Sequence, residues 1–220
     1  MTHLTNELLK LKATVAAQGR LVSDQLRKTR DGLISFDKKL QQEVCSLEAT
    51  VNSEELRIDR ECENIIALLN PLAADLRFVL ACIKINVNLE RNGDIADGIS
   101  RFLLNLPAPY EQQLLEQTQA LEMFNAALEM MDQCVIAFEA EDSVLARTIL
   151  GMDSKPDQIN SNVSHIVADY IRTNPSNIEQ ALYIMSTIRK LERVGDQCKN
   201  IAEEIIFFHE SKVMKHRDTR

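Results

Sequence analysis

Tryptophan is absent from this chain of 220 residues, and aromatic side chains make up only 5 % of it. Glycine (6) and proline (5) are also scarce. An all-β sandwich needs many turn residues, so the shortage argues against that class and for long helices with few breaks. Basic charge is in deficit as well, with a net charge of −8 and a pI near 5.1. That argues against a generic nucleic-acid binder, because neutralising phosphates requires a basic face. The five cysteines (Cys45, Cys62, Cys82, Cys134 and Cys198) are scattered, odd in number and without a Cys-x-x-Cys pair. They suggest neither a disulfide framework nor a zinc knuckle, and a reducing compartment suits them better. The opening MTHLTNELLK is amphipathic rather than a charged segment followed by an apolar run, so no signal peptide is expected. No run approaches the roughly 18 apolar residues of a membrane span. A cytoplasmic location follows as the expectation, with any membrane association made through a partner.

What is present is helical periodicity, in a chain that is 45 % hydrophobic. Leu4, Leu8, Leu11 and Val15 open a first helix running to about Arg30, with Gly32 expected as a break. Leu33, Phe36, Leu40, Val44, Leu47 and Val51 begin a second, continued by Ile58, Cys62 and Ile65. Asn70-Pro71 stops it, because the residue before proline is pushed out of the helical region. A third runs from just after Pro71 to about Leu104, and Pro107-Ala108-Pro109 punctuates the midpoint. The second half repeats the plan, with helices over about Tyr110–Phe138 and Glu141–Thr173. Asn174-Pro175 then ends the fifth helix, and Ser176 is expected to cap a sixth running to about His209. Pro156 interrupts the fifth segment: either that helix kinks there, or it starts near Asp153 or Ser154 with Pro156 in its first turn. The basic tail SKVMKHRDTR is expected to fray.

The fold class expected is all-α: a tandem repeat of two antiparallel three-helix bundles, one over 1–106 and one over 107–220. Helices of such length reach about 50 Å, so an elongated molecule is expected.

Leu-Glu-Arg-x-Gly-Asp occurs twice, at 89–94 and at 191–196, 102 residues apart. In the second copy Ile184, Ile188, Leu191, Gly195, Cys198, Ala202 and Ile205 form a stripe with heptad-like spacing. Gly195 therefore belongs to the packing seam, as does Gly93. An interior glycine costs about 1 kcal/mol relative to alanine, so close approach of a neighbouring helix is the expected return at both positions. The acids lie on another face. Glu90 and Asp94 are four residues apart, as are Glu192 and Asp196, and like charges at that spacing repel. One such pair is ordinary solvated surface. Two at equivalent positions suggest a hard-cation site, which needs oxygen ligands from more than one element. Glu48-x-x-x-Asn52 and Asp153-x-x-x-Asp157, on the middle helices, are candidates to complete one oxygen-rich cluster per bundle.

The doubled motif, PLAADLR at 71–77, KNIAEEIIFF after the second copy and the six-helix plan resemble the PhoU family of phosphate-uptake regulators. The resemblance covers nearly the whole chain. It implies tandem three-helix bundles, some of which carry multinuclear metal clusters on Glu/Asp-x-x-x-Asp motifs. It also implies a non-enzymatic role: restraining the phosphate ABC transporter, and holding a sensor kinase inactive, when phosphate is plentiful. The partners implied are the transporter ATPase and the sensor histidine kinase, and the long amphipathic helices permit a homodimer. Carried over by position, Glu48, Asn52, Glu90 and Asp94 would form the first cluster. Asp153, Asp157, Glu192, Asp196, Asn200 and Glu203 would form the second. The metal (iron, zinc, manganese or magnesium) is not named by the sequence. Where the family has Asn and then Glu after the motif, the first copy has Gly98 and Arg101. Arg101 would repel a cation unless Asp97 compensates, so the second cluster is the better candidate at this level.

The alternative is a carboxylate-rich bundle for metal storage or redox chemistry. It is weakened by the lack of a Glu-x-x-His signature before any histidine. A pure helical scaffold with solvated acids is a third reading. No phosphate-binding loop appears. His165 reads as structural or surface, and Met123, Met130, Met131 and Met185 as core filler.

Overall fold

The structure, a computed structural model, describes residues 2–211. Those residues are almost entirely helical. Helix α1 spans His3–Ser35, α2 Lys38–Leu69 and α3 Ala74–Asn105. Then follow α4 (Gln112–Thr118), α5 (Ala120–Ala140), α6 (Ser143–Ile149), α7 (Ser154–Thr173), a 3-10 turn at Pro175–Asn177 and α8 (Ile178–Glu210). The first three helices pack on one another as an antiparallel bundle, and α5, α6–α7 and α8 form the second, with α4 at its edge. At 33 residues each, α1 and α8 are about 50 Å long, which makes the molecule elongated.

The helix boundaries follow local chemistry. Thr2 caps α1, its hydroxyl accepting from the Thr5 amide. The Asp37 carboxylate caps α2 through the amides of Lys39 and Leu40, and Asp142 caps α6 through those of Val144 and Leu145. Asn70 ends α2 in the left-handed region, one residue before Pro71.

Four expectations change. Gly32 is no break: α1 continues through it, because the amide of Gln41 fills the space a side chain would take. That amide donates to the Thr29 carbonyl, and α1 ends instead at Phe36 in a left-handed cap. The fourth expected helix is cut at Gln119, whose backbone is left-handed (φ 53°), into α4 and α5. The fifth is cut too. Glu141 turns left-handed, α6 follows, and α7 starts at Ser154, so that Pro156 falls in its first turn rather than kinking it. Ser176 lies in the 3-10 turn, and α8 starts after Asn177 without a side-chain cap. Of the basic tail, 212–220 lie outside the described residues.

One buried apolar core runs through both bundles. Leu26, Val44, Val51 and Ile58 are buried in the first, and Met123, Phe124, Met130 and Ile188 in the second. The seam read from the second motif is buried throughout, from Ile184 to Ile205. A second buried row on α8 (Val194, Ile201 and Phe208) was not read from the sequence. It exists because α8 is wrapped on two sides: α5 and α7 cover one, and α3 of the other bundle covers the other. The α3–α8 pair is antiparallel. Phe78 meets Phe208 near one end (5.3 Å) and Phe102 stacks on Tyr183 near the other (4.9 Å). The bundles thus lie side by side, with α1 also against α5, and the two copies of the motif sit on the joint.

Candidate functional site: two acidic grooves

The α2–α3 groove carries the first acid cluster. Glu48, Asn52, Glu55 and Asp59 follow one another at three- and four-residue steps along α2, so they share a face. Glu90, Asp94 and Asp97 do the same on α3. Asp94 and Asn52 lie against the Glu48 carboxyl, and Asp97 is close enough to act on it. Burial, together with the neighbouring Asp94, pushes that carboxyl up to about 7. Glu55 is raised by burial and by Asp59 and Asp94, and Glu90 by burial and by Asp94 and Glu55. Farther along, Asn86 donates to the Asp59 carboxylate (3.0 Å) and to the Glu55 carbonyl (2.9 Å). The structure thus sets Asp94 and Asn52 against Glu48 and places Glu90 beside Asp94 and Glu55, and it adds Glu55 and Asp59, which sequence reasoning missed. Their signal was present: both continue the acidic ladder begun at Glu48. Arg101 is turned away from a repelling role, since its guanidinium pairs with Asp97 at 2.6 Å.

The α7–α8 groove carries the second cluster. Glu192 is raised by burial and by the charges of Asp196 and Asp157, so both lie close enough to act on it. Asp153, the residue just before α7, completes the group, but it arrives through a lysine. The Lys199 ammonium sits between the two walls, 2.7 Å from Asp153 Oδ2 and 2.9 Å from Asp196 Oδ1. Burial alone would lower the lysine, but the hydrogen bonds to the two aspartates raise it above its ordinary value, so it is a permanent cation. Asn200 does not join this group. Its amide donates across the joint to Asn88 Oδ1 at 3.3 Å. Glu203 is half-buried on α8, and His165 is exposed on α7.

Among the described residues no three His, Cys, Asp or Glu side chains converge as a ready-made metal group. The two donor sets nonetheless differ in how they suit a cation. In the first groove Glu48 Oε2 is buried and has no hydrogen-bond donor, beside Asp94. An orphaned carboxylate oxygen among other acids is the environment a hard cation satisfies. In the second, two of the aspartates are already bridged by the chain's own ammonium. The set as it stands does not fit a metal.

Gly98 has a structural origin. A side chain there would meet Lys190 Nζ at 2.8 Å, and Lys190 reaches over the Phe102 ring at 5.8 Å. Shifting by the 102-residue repeat turns the Asn88–Asn200 contact into Lys190–Gly98. A lysine thus stands in place of one asparagine and a glycine in place of the other, and the two meet at the joint. The departure at Gly98 lies at the joint between bundles.

Both halves match the model of the PhoU domain, over residues 15–103 and 120–205. The phosphate-specific transport system accessory protein PhoU of Edwardsiella tarda is 32 % identical over 96 % of this chain and 86 % of its own length. PhoU homolog 1 of Thermotoga maritima is 30 % identical over 97 % of the chain and 91 % of its own. In three dimensions, PhoU from Pseudomonas aeruginosa superposes with a TM-score of 0.86 at 28 % identity, over 96 % of this chain and all (100 %) of that one. A phosphate transport system regulatory protein PhoU from Streptococcus pneumoniae gives 0.85 at 25 % identity, over 96 % and 99 %.

Proposed function

The chain belongs to the PhoU family, and from that premise we propose that it is an accessory protein of phosphate-specific transport. In this reading it restrains a phosphate ABC transporter and the phosphate-starvation two-component pathway when phosphate is plentiful. The observation that carries it is end-to-end similarity: both repeats match, and curated relatives bearing the accessory-protein name align over 96 % or more of the chain. The role is non-enzymatic and cytoplasmic. It is exercised by docking the long helical faces on the transporter ATPase and on the sensor histidine kinase. No helix of the described residues is long and apolar enough to cross a membrane, so contact with the transporter would go through such docking.

Within that role the α2–α3 groove is the face that would take a cation. Glu48, Glu90 and Asp94 would hold it, with Asn52 and Glu55 flanking. A bound divalent or trivalent ion would neutralise the groove and tie α2 to α3. The orphaned Glu48 oxygen supports this placement.

The test is deletion of the gene with alkaline phosphatase followed in high phosphate. Derepression of starvation genes, reversed by the gene in trans, is the expected result. Wild-type repression in the deletion strain, with no paralogue present, would reject the regulatory role. Storage or redox chemistry would instead require turnover of an oxidisable substrate by iron-loaded protein.

A further inference from the structure

The two copies of the motif face equivalent grooves, yet they differ in charge at one decisive place. Three residues after the motif's aspartate the first copy has Asp97 and the second has Lys199. Asp97 pairs with Arg101 on its own helix but stays largely buried, and its charge adds to that of Asp94 on Glu48. Lys199 does the opposite. Its ammonium bridges Asp196, on its own helix, to Asp153, which comes from the start of α7.

We infer that Lys199 is a built-in counter-ion that takes the place of a metal in the second groove, leaving the first as the one that answers to free cation. This rests on the reading of these grooves as cation sites. A metal in such a place does two things: it neutralises clustered carboxylates, and it cross-links the elements that supply them. The ammonium does both. The bridge is partly buried at its Asp153 end, where the side chains of Lys199 and Asp153 are each 28 % exposed, while Asp196 is 48 % exposed. It is held at both ends, by an aspartate three residues back and by one 46 residues away. An incoming divalent ion would have to displace Lys199 or sit close beside it. Two positive charges about 4 Å apart repel modestly in water and several times more strongly at a partly buried site. The repeat has thus divided its labour, with one half metal-responsive and the other neutralised in place.

The experiment uses the full chain, stripped with EDTA and then equilibrated with Mn2+ or, separately, Zn2+. Bound metal per chain is measured after gel filtration, alongside the unfolding midpoint. In the wild-type background D196N leaves metal content unchanged, whereas D94N lowers it. K199M gains a further metal ion, with affinity roughly a hundredfold or more above that of the wild-type second groove. The gain disappears in the K199M/D196N double variant. Two results overturn the inference: loss of bound metal on D196N alone, or no gain of metal in folded K199M. If the wild type binds no metal while K199M binds it through Asp196, the counter-ion assignment stands and the cation reading of the first groove falls. D196N keeps Lys199 and one of its aspartates, so that arm does not depend on the fold of K199M.

Discussion

Gly93 and Gly195 occupy equivalent positions in the motif, yet the chain needs only one of them for space. A Cβ on Gly93 would lie 3.0 Å from Val51 Cγ1 and 3.2 Å from Gln25 Oε1, both in buried side chains. On Gly195 it would lie 3.5 Å from Met130 Sδ, an ordinary contact with a flexible side chain. Alanine gains about 1 kcal/mol of helix propensity at either site. At Gly93 overpacking of about 1–3 kcal/mol outweighs that gain. We therefore expect G93A to lower stability by about 1 kcal/mol and G195A to raise it by up to about 1 kcal/mol, read from urea unfolding midpoints. Equal effects would show that both glycines serve one purpose. Glu48 provides the second prediction at this scale. The folded chain holds its proton to about pH 7, while the unfolded chain releases it near 4.5. The folded state therefore binds more protons across that window, and stability falls as pH rises from about 4.5 to 7. With EDTA present, E48Q should flatten this part of the profile and be the more stable form at pH 8. A wild-type profile that rises through the window would contradict the assignment.

At the scale of the element, long helices are legible because the apolar period persists, and helix ends are legible where proline or a capping acid marks them. Asp37 is one such mark, its carboxylate taking the amides of Lys39 (2.9 Å) and Leu40 (3.2 Å). D37A should cost about 1 kcal/mol, the usual worth of a cap, measured by chemical denaturation. An effect below a few tenths would mean that α2 is started by packing instead. The cut at Gln119 left no such mark, and the one at Glu141 left only the capping acid Asp142 just after it. Gln119 and Glu141 both turn left-handed without being glycine. The positions are chosen by what the second bundle packs, so local propensity could not reveal them. Gly32 shows the reverse error, in which a residue that ordinarily breaks a helix is kept inside one because a distant glutamine fills its gap.

At the scale of the molecule, the joint between the bundles has enough substance to make them unfold together. Phe138 of α5 stacks on Phe78 of α3 at 6.2 Å and meets Phe208 of α8 edge-on at 6.3 Å. Arg27 of α1 pairs with Asp132 of α5 at 2.9 Å, and Lys84 of α3 with Glu204 of α8 at 3.1 Å. Thermal unfolding should be a single transition. F138A should lower it by about 3–5 kcal/mol without splitting it, because Phe138 is only 3 % exposed and belongs to both halves of the cluster. Two resolved transitions in the wild type would show instead that the bundles are energetically independent.

The sequence by itself determined the helical class, the doubled plan, the family and the stripe that faces each core. All of these rest on periodicity and on a repeat, which are properties of the chain taken alone. Helical spacing also put Glu48 with Asn52, Glu90 with Asp94 and Glu192 with Asp196 on shared faces, whereas Asp153 precedes α7 and its place beside Asp157 was not set by spacing. Only the tertiary structure decided which acids are compensated. Lys199 is one letter among the residues after the motif until the turn before α7 lays Asp153 beside it, 46 positions away in the chain. The same holds for Asn200 and Gly98, whose partners lie on the other bundle. Charge balance depends on distances between helices, and those are set by how side chains fill the space between them.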